Sequence, residues 1–388
     1  MQISLPDYIK TALNTLETNG FECYCVGGAI RDLLLGKNPF DFDITTNAKP
    51  EDIIRIFDRT VPTGLKHGTV TVIIDRHNIE VTTYRSEKSY SDHRSPDSVS
   101  FLNSVEDDVM RRDFTMNAIL YNPKSGIYDP QNGLGDLNMQ LIRAVGDPEK
   151  RFREDALRIM RAFRFSAQLG FGLEQSTLSA ALKLSDTVRF LSSERIFSEL
   201  KKIICSPYLQ NADLLFSAGT FDFLGLKIKY SLRVLSDLPC DFNLRFAYLC
   251  KLNSLNCKDI LKALKSDNDT LAETEKTLDI LISPPPKTAY EIKRLLNKNG
   301  PRTVDRIINS GFPFFENSDD LKVQLNNIFK NDEPYSINHL KIDGNDLITL
   351  GFSGKDIGTV LADLLDAVMK NPNINTREKL MSLAIAKQ

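Results

Sequence analysis

The sequence has almost no net charge. Its 49 Lys and Arg residues stand against 51 Asp and Glu, a formal charge of −2 over 388 residues. That balance gives no general attraction for nucleic acid, so any nucleic-acid surface has to be a local patch. Paired cysteine is missing as well. Cys23, Cys25, Cys205, Cys240, Cys250 and Cys257 show no C-x-x-C spacing, which argues against a zinc site and for a reducing compartment. Cys23 and Cys25 fall in an apolar stretch and read as core thiols. Long hydrophobic runs are absent too: Met1-Gln2-Ile3-Ser4-Leu5-Pro6 has no basic region leading into an apolar one, and no later segment approaches a membrane span. A soluble cytoplasmic protein without membrane association is expected. His67, His77, His93 and His339 include no His-Asp dipeptide, so an appended metal phosphohydrolase of that type is not expected. Nothing points to a protein partner.

What is present starts with a hydrophobic content of 41%, ample for buried cores, in a chain too long for one ordinary core. The rest is organised around Val26-Gly27-Gly28-Ala29-Ile30-Arg31-Asp32-Leu33-Leu34-Leu35-Gly36, followed by Asp41-Phe42-Asp43-Ile44. This reads as strand, tight turn, short helix, loop and a second strand with two carboxylates. Side chains alternate along an extended segment, so Asp41 and Asp43 share a face and Phe42 takes the other. Two carboxylates on one face repel unless a hard cation lies between them, and Mg²⁺ suits oxygen ligands completed by substrate phosphates. Gly27 and Gly28 clear side chains from a helix N-terminus where backbone N–H groups can receive phosphate. Arg31 adds a charged fork. Asp32 reads as a surface charge.

The helix before this stretch is expected over Pro6 to Glu17, with Ile9, Leu13 and Leu16 inward, and the first strand over Phe21 to Val26. After it come a helix from Pro50 to Phe57, with Ile53, Ile54 and Phe57 inward, and strands Gly68–Ile74 and Asn78–Tyr84 joined by a polar turn. Glu80 has two open readings: a third metal-site carboxylate on the face of Asp41 and Asp43, or a solvent-facing residue on an edge strand. Residues Arg85 to Ser104 form a long polar stretch with Pro96 as a breaker, the kind of loop that is functional or disordered. In Arg111-Arg112-Asp113-Phe114-Thr115-Met116-Asn117-Ala118, Asp113 is placed to cap a helix running through Ile119. From Pro148 the pattern is helical nearly to the end. One helix, Glu149 to Leu169, carries Asp155, Arg158, Arg161 and Arg164 at spacing three beside Leu157, Met160 and Phe163. A solvated face with an Asp–Arg pair is the plain reading of that spacing. Further helices are expected from Ser193, over Leu261–Ile282, Ile337–Leu350 and Ile357–Met369, with Ser283-Pro284-Pro285-Pro286-Lys287 as linker or sharp turn.

Gly-Gly-x-x-Arg-Asp, then Asp-x-Asp, then Arg-Arg-Asp and Glu154-Asp155-x-x-Arg158 together closely resemble the nucleotidyltransferases of the DNA polymerase β superfamily, in the eubacterial-eukaryotic branch of tRNA CCA-adding enzymes and bacterial poly(A) polymerases. The resemblance implies an α+β protein: a small head with a mixed sheet over residues 1–140, then an elongated all-α part with neck 141–206, body 207–290 and tail 291–388, the tail on tRNA. It implies Mg²⁺ on the catalytic Asp41 and Asp43, beside which Glu80 keeps its two readings, catalytic carboxylate or solvent-facing residue. It implies nucleotide contacts from Gly28, Arg31, Arg112, Asp155, Arg158, Arg161 and Arg164, and structural roles for Glu194 and Arg195. A flexible loop at Arg85–Ser104 would mark completion of an A step. The proposed base readers make chemical sense. Cytosine and adenine both offer an amine donor beside a ring-nitrogen acceptor, and uracil and guanine offer the reverse order. A carboxylate with a guanidinium therefore accepts C and A and rejects U and G. The implied activity is addition of CCA to the 3′ end of tRNA from CTP and ATP. Poly(A) or A-only addition shares the motifs. A silent RNA-binding protein on this fold would not need the two carboxylates, and a small-molecule nucleotidyltransferase would leave the helical half without purpose.

Overall fold

Ile9, Ala12, Leu13 and Leu16 form the buried stripe of α1 (Asp7–Thr18), which packs on the sheet begun by β1 (Cys23–Val26). The computed structural model describes residues 3–88, 98–101, 104–310, 314–315 and 317–387. α2 (Gly28–Leu34), β2 (Asp43–Thr46) and α3 (Pro50–Ile56) follow, then β3 (Thr60–Gly64), β4 (Thr69–Ile74) and β5 (His77–Thr83). Next come β6 (Arg85–Lys88), β7 (Ser98–Phe101), α4 (Val105–Met110), β8 (Leu120–Asn122) and β9 (Gly126–Tyr128). Seven of these strands make one sheet in the order β3-β4-β5-β2-β1-β8-β9. β2 runs parallel to β5 and every other neighbouring pair is antiparallel, so the head has the expected mixed sheet. Asp75 and Arg76, with φ of 47° and 67°, make the two-residue turn between β4 and β5, which suits the twist of a hairpin.

Some expectations change. β3 was not anticipated, because Pro62 and its exposed neighbours hide a strand that pairs on one side only. Ile54 is 42% exposed and does not face the core. The polar stretch at Arg85–Ser104 is not all loop, since its two ends pair as β6 and β7. Residues 89–97 and 102–103, including Pro96 and His93, lie outside the described residues.

Beyond β9, α5 (Gly133–Asn138), α6 (Pro148–Glu154), α7 (Leu157–Leu169), α8 (Gln175–Lys183), α9 (Ser193–Ile204) and α10 (Asp213–Ser217) complete the first of two compact units, residues 1–227. The single helix expected from Glu149 to Leu169 is two. Asp155 takes an extended conformation (φ −146°, ψ 107°) and separates α6 from α7. No helix runs from Asp113 through Ile119 either: a short 3₁₀ turn over Thr115–Asn117 stands there. It is held close to α5, where a Cβ on Gly133 would lie 2.3 Å from the Thr115 carbonyl oxygen.

The second unit, residues 228–388, is helical. It comprises α11 (Phe242–Asn253), α12 (Cys257–Ala263), α13 (Asn268–Ile282), α14 (Ala289–Asn299), α15 (Pro301–Ile308), α16 (Ser318–Lys330), α17 (Gly344–Thr349), α18 (Lys355–Lys370) and α19 (Arg377–Ile385). Leu261 to Ile282 thus spans parts of two helices, with Asp267 capping the second through the Thr270 N–H. The expected helix at Ile337–Leu350 shrinks to a 3₁₀ turn and α17, whose start is fixed by an Asp343–Asp346 capping box. One apolar core gathers Leu244, Ile292, Leu296, Ile307, Leu321 and Leu325, and another gathers Leu347, Leu361, Leu364, Val368 and Leu380.

Candidate active site

The turn after β1 places the first part of the site. Gly27 has φ +79°, a conformation that disfavours side chains, and a Cβ there would lie 3.6 Å from Asp43 Oδ2 and 3.8 Å from Arg112 Nη1. Asp43 opens β2, and Asp41 lies just before the strand. Phe42 is 5% exposed while Asp41 and Asp43 are both exposed, so the alternation holds. Glu80 stands in register with Asp43 on β5, and β5 is flanked by β4 and β2, so Glu80 is not on an edge strand. In-register neighbours point to the same face of a sheet. Asp43 keeps exposed surface, yet burial among the surrounding residues is the first cause that raises its carboxyl. Glu80 and then Asp41 push it further, up to about 6, against the pull of Arg112.

A hard divalent cation would relieve that crowding of like charge. The donors are all carboxylate oxygens, the set that hard divalent ions prefer. Among the described residues no three His, Cys, Asp or Glu side chains converge to hold a metal. Remaining coordination would therefore come from substrate oxygens.

Arg112 reaches the turn from the end of α4. Its Nη2 pairs with Asp108 at 3.0 Å, and Arg111 pairs with the same carboxylate at 2.6 Å. Asp108 is fully buried and also accepts from Thr45 Oγ1 on β2. Burial would raise its pKa, but the two arginines hold it below the usual carboxylate range. Arg112 Nε is buried with no partner, and Nη1 is the atom that approaches Gly27. Arg31 lies with Nη2 3.5 Å from a Cβ built on Gly28. It pairs with Asp32 at 2.8 Å, so Asp32 is an ion-pair partner and not a free surface charge.

The second part surrounds α7. Asp155 sits in the break before it, where Oδ1 accepts from the Leu157 N–H (3.0 Å) and Oδ2 accepts from Arg195 Nη2 (2.7 Å). Arg158 and Arg164 are each 8% exposed, which rules out the solvated face. Arg158 pairs with Glu154 at 2.8 Å and donates to the Arg151 and Arg111 carbonyls. The side chains of Asp155 and Arg158 are therefore not partners of one another. Each keeps capacity to spare: an ionised carboxylate has about four lone-pair sites and a guanidinium five N–H donors. Arg161 pairs with Asp113 at 2.6 Å and Arg164 with Glu199 at 2.5 Å. Burial would raise Asp113, but Arg161, Asn117 and Arg158 outweigh it and hold the carboxyl at about 2.

Sequence reading missed the carboxylates that orient these arginines: Asp108, Asp113 as a partner, Glu154 and Glu199. The i+4 pairs Glu154–Arg158 and Asp108–Arg112 were within reach of pattern reading. Asp113–Arg161 and Arg164–Glu199 join residues 48 and 35 apart.

A mixed sheet with strand-borne carboxylates beside a Gly-Gly turn, followed by an arginine-bearing helix, defines a nucleotidyltransferase of the polymerase β type. The family model described as the poly A polymerase head domain matches residues 23–143, and the one described as a probable RNA and SrmB-binding site of polymerase A matches 170–228. A CCA-adding enzyme of Streptococcus mutans is 35% identical over 97% of each chain. One of Geobacillus kaustophilus is 36% identical over 92% of this chain and 90% of its own. The crystal structure of a Bacillus stearothermophilus CCA-adding enzyme in complex with CTP superposes with a TM-score of 0.83 at 30% identity, covering 98% of this chain and 97% of that one. The chain belongs to the CCA-adding enzyme family. Among the described residues no helix is long and apolar enough to cross a membrane.

Proposed function

We propose that this protein adds C, C and A to the 3′ end of tRNA from CTP and ATP, choosing each base with its own side chains in place of a nucleic-acid template. The observation that carries the reading is the placement of the Asp43 carboxylate and the Arg112 guanidinium together over the Cβ-less face of Gly27, an acidic metal ligand beside a cationic phosphate ligand. The CTP named with the Bacillus stearothermophilus relative and the tRNA named with a Thermotoga maritima CCA-adding enzyme support the substrates.

Asp41 and Asp43 would hold Mg²⁺, with Glu80 as a third carboxylate on the same face. A divalent ion held there would supply activation of the acceptor hydroxyl and neutralisation of charge on the leaving pyrophosphate. Gly28 and Arg31 receive phosphate at the turn, and Arg112 brings its Nη1 to the same turn. Arg161 and Arg164 flank the nucleotide, each fixed by a carboxylate. Asp155 accepts from the base amine and Arg158 donates to the ring nitrogen. Arg195 and Glu154 hold the two in orientation, and this preset geometry is the source of selectivity. The division into head 1–140, neck 141–206, body 207–290 and tail 291–388 goes with this reading, with tRNA on the tail.

The test is tRNA lacking its CCA end, incubated with each labelled nucleotide alone. CTP alone should extend it by two residues, and ATP alone, UTP and GTP should not extend it. ATP alone extending it repeatedly would establish a poly(A) polymerase instead.

A further inference from the structure

Phe165 lies on α7 and is 5% exposed. The guanidinium carbon of Arg164 stands 3.9 Å from its ring centroid, that of Arg31 5.0 Å and that of Arg161 5.3 Å. Phe114 meets the ring edge-on at 5.8 Å. Arg31 comes from α2, and the other two cations from α7. A closed chain of contacts joins them. Arg31 Nη1 donates to Asn117 Oδ1 at 2.8 Å, Asn117 Nδ2 donates to Asp113 Oδ1 at 3.1 Å, and Asp113 Oδ2 accepts from Arg161 Nε at 2.7 Å. Both guanidiniums then return to Phe165.

The carboxylate partners Asp32, Asp113 and Glu199 each fix one edge of one arginine. The aromatic ring is the surface all three share. An aromatic quadrupole attracts cations, most strongly where water is excluded. An aliphatic side chain of similar volume would fill the space without that attraction.

We propose that Phe165 is a positioning residue for nucleotide binding. Its ring seats Arg31, beside the Gly27–Gly28 turn, together with the arginines of α7, so that the phosphate-facing turn and the base-reading helix keep one geometry. This rests on the reading that these arginines surround the nucleotide. Phe165 itself touches no reacting atom.

The test uses the full chain with Phe165→Met and Phe165→Leu, which fill space without a π face, and Phe165→Tyr, which keeps one. CTP affinity is read by equilibrium titration without tRNA, alongside KM for tRNA and thermal unfolding. The titration remains readable even if the acceptor is not tRNA, so failure of this proposal and failure of the CCA-adding reading are separable. Expected is about five- to tenfold weaker CTP binding in the Met and Leu variants, with KM for tRNA unchanged and affinity restored in the Tyr variant. Unchanged CTP affinity in a folded aliphatic variant overturns the proposal. So does an equal loss in the Tyr variant, or loss of cooperative unfolding in both aliphatic variants, since each assigns Phe165 to packing alone.

Discussion

Asp43 has Glu80 in register on the adjoining strand and Asp41 two residues before it, and a carboxylate in such company resists ionisation. Because its folded pKa is raised to about 6, the metal-free protein is destabilised by this group at neutral pH, and the penalty is relieved as pH falls through about 6 and is gone below about 4. Asp43→Asn should therefore abolish nucleotide addition yet raise metal-free stability at pH 7, by no more than about 1 kcal/mol because the group is partly exposed. The gain should vanish below about pH 4. Urea unfolding at pH 7 and pH 4, with an addition assay, checks both halves; addition at near wild-type rate in this variant refutes the catalytic assignment. Asp155 carries a different expectation. Removing its acceptor in Asp155→Ala leaves the base amine unpaired, a loss typically worth about 1–3 kcal/mol of discrimination, or roughly ten- to more than a hundredfold in the CTP-to-UTP ratio. Competition between the two nucleotides in one tube reads this without correction for active enzyme. An unchanged ratio would return Asp155 to the role of a partner for Arg195.

Elements show where pattern reading succeeds and where it stops. The Gly-Gly turn, the Asp-x-Asp strand and the β4–β5 hairpin were legible, because turn residues and period-two alternation are local signals. The break between α6 and α7 was not. Asp155 and Ala156 carry no Gly or Pro to announce it, and Asp155 is held in its extended conformation by Arg195 from α9. The turn at Thr115–Asn117 was misread as helix for a similar reason. The sequence offers Asp113 as a cap, whereas the fold uses it as the partner of Arg161. α5 fixes that turn by close contact, and this gives a prediction at the element scale. Gly133→Ala would set a Cβ 2.3 Å from the Thr115 carbonyl oxygen and 2.7 Å from Ile119 Cγ1. The backbone has to move, and overpacking of this kind costs about 1–3 kcal/mol. Denaturant unfolding should show that loss. Because Asn117 rides on the same turn and holds Arg31, CTP affinity should fall as well. Wild-type stability in the variant would mean that α5 shifts freely and does not position the turn.

At the scale of the whole molecule, a formal charge of −2 fits a site whose cations are consumed internally. Arg31, Arg112, Arg158, Arg161, Arg164 and Arg195 each pair with a carboxylate. A triphosphate then depends on a divalent ion for much of its neutralisation. Chelation should accordingly stop nucleotide addition without unfolding the protein, and circular dichroism with and without chelator checks the second point. The helical second unit was foreseen as helical from its periodicity, but its junctions are set by the local caps Asp267 and Asp343, which the spacing of apolar residues does not mark. On this reading the chain, by itself, writes a defined sequence. The most direct measurement supplies the full-length protein with tRNA lacking its CCA end and all four nucleoside triphosphates together, and sequences the 3′ ends of the products. The account predicts ends of C, C and A followed by termination; runs of A, or ends of mixed composition, would contradict it.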